Sequence, residues 1–329
     1  MRRNLAAVFA LALLAPFVAE FLLGDQYLTP DQGVGAQLGM FVVLGLWYGS
    51  GAVLIREVTR RSGRGWPTIL LLGLAFGLIE EGLLTQSLFN PHYLGLDLLS
   101  YGHVGWLGIG LPWTVFVLTL HVVWSIATPI ALVEGLWPGR EPWGGRVALG
   151  VTTGLLMLGA LAIAGVSWSS SGFLASPGQL VASAGLAVIV VVVALRRPRV
   201  DEPRPPRPVL PAAGVGLVLT TTFQLVQHLG PSTTPAWATT AILLVLLAAA
   251  VVAATRWRLD VLGLAIGPIL TYAWVGMVNA VRVGSTAVIE QVLIIAVALA
   301  VTALAVRRRR RAAVRPSAGA AVRATTHRA

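Results

Sequence analysis

The chain has 329 residues, 56% hydrophobic and 11% charged, with a formal net charge of +11 and a mean hydropathy of +0.80. Too few charged groups are present to cover a soluble globule of this size, so the chain is solvated by lipid. The positive charge sits in short clusters between apolar runs, which excludes nucleic acid as a partner, and the lack of cysteine excludes disulfides, thiolate zinc sites and cysteine nucleophiles.

At about 20 residues per crossing, the apolar runs predict about ten helices, at 4–23, 37–57, 67–88, 111–136, 147–167, 178–195, 209–229, 236–254, 261–281 and 288–306. The first opens with MRRN like a signal peptide. It contains Glu20, however, and no small-x-small cleavage site precedes Gly24, so it is kept as helix one. Residues 196–208 form a proline-rich linker, stiff and extended, which divides the bundle into six helices and four. Residues 307–329 form a basic tail, polar and expected to be disordered.

All 24 basic residues are arginine. Arg2, Arg3, Arg56, Arg60, Arg61, Arg64, Arg140, Arg146, the arginines of 196–207, Arg256, Arg258 and those of 307–311 fall on one side of the helix count. Arg282 falls on the other. The positive-inside rule then places both termini in the cytoplasm. Asp25, Asp31 and Asp97 mark the opposite interface, with Tyr27, Tyr93, Trp106 and Trp237. The expected fold is an all-α polytopic transmembrane bundle in the cell membrane, one domain over 1–306, with its arginine clusters touching anionic lipid. Thr128-Pro129 and Gly267-Pro268 suggest paired broken helices, but both prolines lie toward the same side, against an inverted repeat.

Glu80 and Glu81 stand out, being two adjacent carboxyls inside an apolar run from Pro67 to Leu88. Such groups cost roughly 2.5–3.5 kcal/mol each in hydrocarbon and mark functional interiors. Gly73, Gly77, Glu81 and Thr85 recur every four residues and share a helix face, with Gly45 and Gly49 of helix two expected as neighbours. Glu80 is turned by about 100° from Glu81, so the pair lines one crevice without pointing the same way. In helix four, His121, Ser125 and Thr128 share a strip. Counted from the outer ends, Glu81 lies about 10 Å deep and His121 about 15 Å, within side-chain reach. Two close carboxyls in low dielectric cannot both ionise cheaply, which makes one a general acid or base, with the histidine as shuttle or oxyanion support. The alternative is structural pairing of the glutamates with Arg282 or backbone. Gln224, Gln227 and His228 of helix seven, with Tyr272, Asn279 and Arg282 of helix nine, are candidates for a second polar wall. Thr85, Ser125, His228 and Arg282 are the candidate binding residues. Glu20, near the outer boundary, is a further candidate for the same polar region, Glu290 is a salt partner for Arg282, and Glu57 and Glu134 read as solvated cytoplasmic charges. His92, Asp97 and His103 fit no standard metal spacing, so the loop 89–110 is read as an aromatic interfacial segment. No metal and no cofactor are expected.

The segment GLIEEGLLTQSL, followed by the histidine of FVLTLHVVWS, resembles the CPBP family of glutamic intramembrane proteases, which includes the CAAX prenyl endopeptidases. That family carries EExxxR, FxxxH and HxxxN motifs. The resemblance implies metal-independent, water-mediated peptide hydrolysis in a membrane cavity, with Glu80 as the base, Glu81 its partner and His121 a site histidine. Thr85 stands where the motif has arginine, Phe116 is five residues before His121, and HxxxN is matched as His121-x-x-x-Ser125. Beside this hydrolase stand a proton-coupled transporter or permease and a noncatalytic membrane scaffold; the peptide or solute is not identified by the residues.

Overall fold

The computed structural model describes residues 4–26, 33–199, 208–230 and 232–314. Arg2, Arg3, Tyr27, Asp31, linker residues 200–207 and tail residues 315–329 lie outside the described residues. Ten helices follow in chain order: α1 (Leu5–Phe21), α2 (Val34–Arg61), α3 (Trp66–Leu84), α4 (Leu111–Leu136), α5 (Arg146–Ser171), α6 (Pro177–Arg196), α7 (Val209–Gln227), α8 (Ala236–Arg256), α9 (Val261–Val283) and α10 (Ser285–Val314). Among the described residues, α2 to α10 are long and apolar enough to cross a membrane, while α1 is a shorter apolar helix. The protein is an all-α multi-pass bundle. Its one described sheet is a two-stranded hairpin, β1 (His103–Val104) with β2 (Ile109–Gly110), in the α3–α4 connection.

Local chemistry sets the helix ends. Asp260 caps α9 by accepting from Gly263 N at 2.8 Å, Ser176 and Gln179 close a reciprocal capping box on α6, and α5 stops at Gly172 in the left-handed region, φ +59. Several boundaries differ from the sequence reading: α3 ends at Leu84 and α5 runs on to Ser171, and two further extensions have a visible cause. Helix α2 runs on to Arg61 and α10 on to Val314, because the arginines there find partners. Arg309 pairs with Asp260 and Arg308 lies over Trp137, so the first part of the predicted disordered tail is helical.

The arginine-bearing ends gather at one pole. Arg56 is 0% exposed, lies 3.5 Å from the centroid of Trp143, and donates to Glu57 at 2.9 Å and Glu134 at 3.1 Å. Arg60 donates to both Glu134 oxygens, and Glu57 also accepts from the Trp143 and Gly144 amides. Glu57 and Glu134 are therefore members of a buried network and not solvated charges. The α4–α5 turn folds over them, a contact between residues more than 70 positions apart. Asn4 N bonds to Trp143 O at this pole, so the start of α1 and the end of α10 lie at the same end of the bundle.

Helices α3, α4 and α9 are the most buried, whereas α5 keeps nearly all its apolar surface outward, as lipid solvation requires. Small residues allow the closest crossings: a side chain at Gly267 would run into the backbone of Gly216 and Leu217 of α7. The predicted Gly73/Gly77 face packs on α4, against Val122, Ile126 and His121, and not on helix two; Gly49 of α2 instead faces Ala12 of α1, and nothing lies near Gly45.

Candidate functional site

Four stretches depart from α geometry, and all lie in the first four helices among the described residues. They are π-helical turns at Phe17–Phe21, Gly45–Gly49, Glu80–Leu84 and His121–Ala127. Proline or glycine accompanies each. Pro16 precedes the first, Gly45 and Gly49 bracket the second, Gly82 lies in the third, and Pro129 follows the fourth. Residues lacking an N–H or a Cβ loosen the regular ladder and permit the wider turn, and such turns concentrate at functional sites. The wider ring is seen in Thr85 N bonding to Glu80 O, five residues back, at 2.8 Å.

Each turn brings one polar group to a shared centre, and that of α3 brings two, Glu80 and Glu81. The π turn of α3 swings Glu80 and Glu81 through a smaller angle than an α turn does, so both carboxyls reach one imidazole. His121 Nε2 lies 2.7 Å from Glu81 Oε1, and Nδ1 lies 3.1 Å from Glu80 Oε2. The two carboxyls thus line one crevice from two sides, one at each ring nitrogen. Glu80, Glu81 and His121 are 3%, 5% and 5% exposed. Tyr48 of α2 donates to Glu80 Oε1 at 2.5 Å, and its ring is stacked near that of His121, centroids 6.0 Å apart. Thr85 donates to Glu81 Oε2 at 3.0 Å. Ser87 donates to the same oxygen and receives the indole N–H of Trp113 at 3.3 Å.

The remaining oxygen, Glu80 Oε2, is buried with no hydrogen-bond partner among the described residues. Its approach to His121 Nδ1 is close but off the line of a hydrogen bond, so that contact is electrostatic. Glu20 of α1 faces the Tyr48 hydroxyl and lies within electrostatic reach of Glu80 and His121. From the α3–α4 loop, Tyr93 stands over the carboxyls; burial first, then the charges of Glu81, Glu80 and Glu20, push its hydroxyl up and keep it protonated.

A family model described as an uncharacterized membrane protein family matches residues 9–324. The chain belongs to that family. No curated protein and no solved structure matches it.

In this family member the predicted residues divide. Glu80, Glu81, His121 and Thr85 meet in one cluster, and Ser125 stands at its edge, 3.5 Å from His121 Nδ1. His228 ends α7 and Arg282 lies near the end of α9, both exposed, so neither side chain joins the buried cluster. Glu290 takes the Gln37 amide. Gln224 and Gln227 each carry a buried polar atom without a partner among the described residues, while Asn279 donates to Leu23 O at 3.0 Å. His92, Asp97 and His103 are exposed. Tyr48, Ser87 and Trp113 were not anticipated. Tyr48 carried one usable signal, a phenol beside Gly49 at mid-helix.

Among the described residues, Glu80, Glu81 and His121 are also the one group whose donor atoms, all within 4.8 Å of one another, are close enough to chelate an ion. Ligands at about 2.0–2.1 Å on a tetrahedral ion sit roughly 3.3 Å apart. The 2.7 Å between Nε2 and Glu81 Oε1 is a hydrogen-bond distance, and each imidazole nitrogen has its own carboxylate. Nε2 and Glu81 Oε1 are thus at proton-transfer distance from each other.

Proposed function

We propose that this protein is a glutamate-dependent hydrolase of the cell membrane, similar in its site to the CPBP proteases, with Glu80 as general base and its arginine-rich pole in the cytoplasm against anionic lipid. One observation carries the reading: both carboxyls lie against a single imidazole, yet only Glu80 keeps an oxygen that accepts no hydrogen bond among the described residues. Glu81 is saturated by His121, Thr85 and Ser87, which suits it to hold the ring. Glu80 is fixed through Oε1 by Tyr48 and offers Oε2. A carboxylate held through one oxygen, with no donor on the other, can take a proton from a water that reaches it as that water adds to a carbonyl. The proton then passes from Glu80 by way of His121 to the leaving group, and the imidazolium steadies the oxyanion. Thr85, standing where the CPBP motif has arginine, fills its place as a donor to Glu81.

The test is Glu80→Gln in purified proteoliposomes with a membrane-inserted reporter peptide. General-base loss predicts a fall in cleavage of at least about 100-fold with thermal unfolding unchanged, and undiminished cleavage rejects the reading. A proton-coupled permease is the second reading, favoured by the polar groups contributed by four distorted helices. It predicts solute uptake that follows an imposed pH gradient and vanishes in Glu81→Gln.

A further inference from the structure

We propose that Glu20 and Tyr48 extend the Glu80–His121–Glu81 cluster into one proton relay that runs along α1 toward Asp25 and exchanges protons with the aqueous phase there. The relay rests on the geometry of that cluster and holds for either reading of the site. Every member can both give and take a proton, as a relay requires. Tyr48 O–H donates to Glu80 Oε1 at 2.5 Å while Glu20 faces the same hydroxyl. When the phenol passes its proton to Glu80 and receives one from Glu20, no phenolate accumulates. His121 continues the path: a small rotation that aligns Nδ1 with Glu80 Oε2, 3.1 Å away, lets the ring take a proton there, and the imidazolium so formed gives its Nε2 proton to Glu81 Oε1, 2.7 Å away. The ring returns as the other neutral tautomer.

The helices are packed for this. The π turn of α1 lies against that of α4, and α1 also packs on the π turn of α2. Asp25 follows one turn beyond Glu20, its amide bonded to Glu20 O at 3.3 Å. Its side chain touches solvent, yet surrounding protein mass pushes its carboxyl up to about 6, close to neutral pH. The groups facing this chain are Glu20 from α1 and Asp25 just beyond its end, Tyr48 from α2, Glu80 and Glu81 from α3, His121 from α4, Tyr93 from the loop and Tyr272 from α9. Tyr93 stays protonated, leaving the carboxyls, the Tyr48 hydroxyl and the imidazole to carry the exchange.

Infrared titration of the full chain in proteoliposomes tests the relay without any substrate. Glu80→Gln identifies the Glu80 carboxyl band by its loss. Glu20→Gln and Tyr48→Phe should each move the midpoint of that band by about one pH unit or more, the scale of coupled sites. In the wild-type chain, the His121 imidazole nitrogens, assigned by His121→Asn, should shift in ¹⁵N resonance over the same pH interval as the band. A Glu80 midpoint unmoved by Glu20→Gln, or an imidazole that titrates independently of it, overturns the relay. If Tyr48→Phe does not fold, Glu20→Gln and the wild-type resonance decide. A failed cleavage assay leaves all of these readouts intact, so the hydrolase and the relay fall separately.

Discussion

Gly77 shows how closely the site is shaped at single-residue scale. A Cβ built there would lie 3.0 Å from His121 Cβ and 3.3 Å from ring atoms, so an added methyl must shift the imidazole by a few tenths of an ångström against its two carboxyls. Alanine favours helix over glycine by about 1 kcal/mol, which offsets part of the crowding. Gly77→Ala should therefore leave thermal unfolding nearly unchanged while shifting the His121 nitrogen resonances and lowering cleavage by about tenfold, equal to ~1.4 kcal/mol of barrier. Wild-type resonances in Gly77→Ala would mean that the ring is not held by this contact. At the same scale, Glu80 and Glu81 were legible from their cost in hydrocarbon, and His121 from its depth. Ser87 was not legible, because a serine just past a helix end is ordinary in sequence, and only folding turns it back onto Glu81.

At the scale of elements, the four π turns and the α7–α9 crossing position everything else. Hydrophobic periodicity finds a helix but is blind to a single wide turn inside it, since one extra residue in the ring leaves the apolar run unbroken. The α7–α9 crossing depends on Gly216, Gly263 and Gly267, each with the opposing helix against the place of its missing side chain. Gly267→Ala should destabilise the bundle by about 1–3 kcal/mol, the range for overpacking a filled contact. Gly214, on the same α7 but with nothing within 4 Å of a built Cβ, is the control, and Gly214→Ala should be neutral or stabilising. Equal unfolding of the two variants in detergent would show that the crossing does not depend on close approach.

For the whole molecule, charge and hydropathy act together. The arginine network of Arg56, Arg60, Glu57 and Glu134 ties α2, α4 and the α4–α5 turn at one pole, and the carboxyl cluster lies toward the other. Removing one member of such a buried network leaves an uncompensated charge, which makes it a structural brace. Because the chain has no cysteine, single introduced thiols report its orientation. Trp106→Cys, in the exposed α3–α4 loop, should react with an impermeant maleimide on intact cells. Glu141→Cys, exposed at the arginine pole, should react only after permeabilisation. The reverse labelling pattern would place the arginine pole outside.

By itself the sequence determined the lipid-solvated class, the ten helices and the two carboxyls at depth, because hydropathy and the cost of charge in hydrocarbon are local properties of a run of residues. Only the tertiary structure decided that His121 meets both glutamates, that Tyr48 fixes Glu80, and that Glu57 is buried. Those hydrogen bonds join residues 32 to 86 positions apart. Their formation depends on how distorted helices pack against one another, which no periodicity along the chain records.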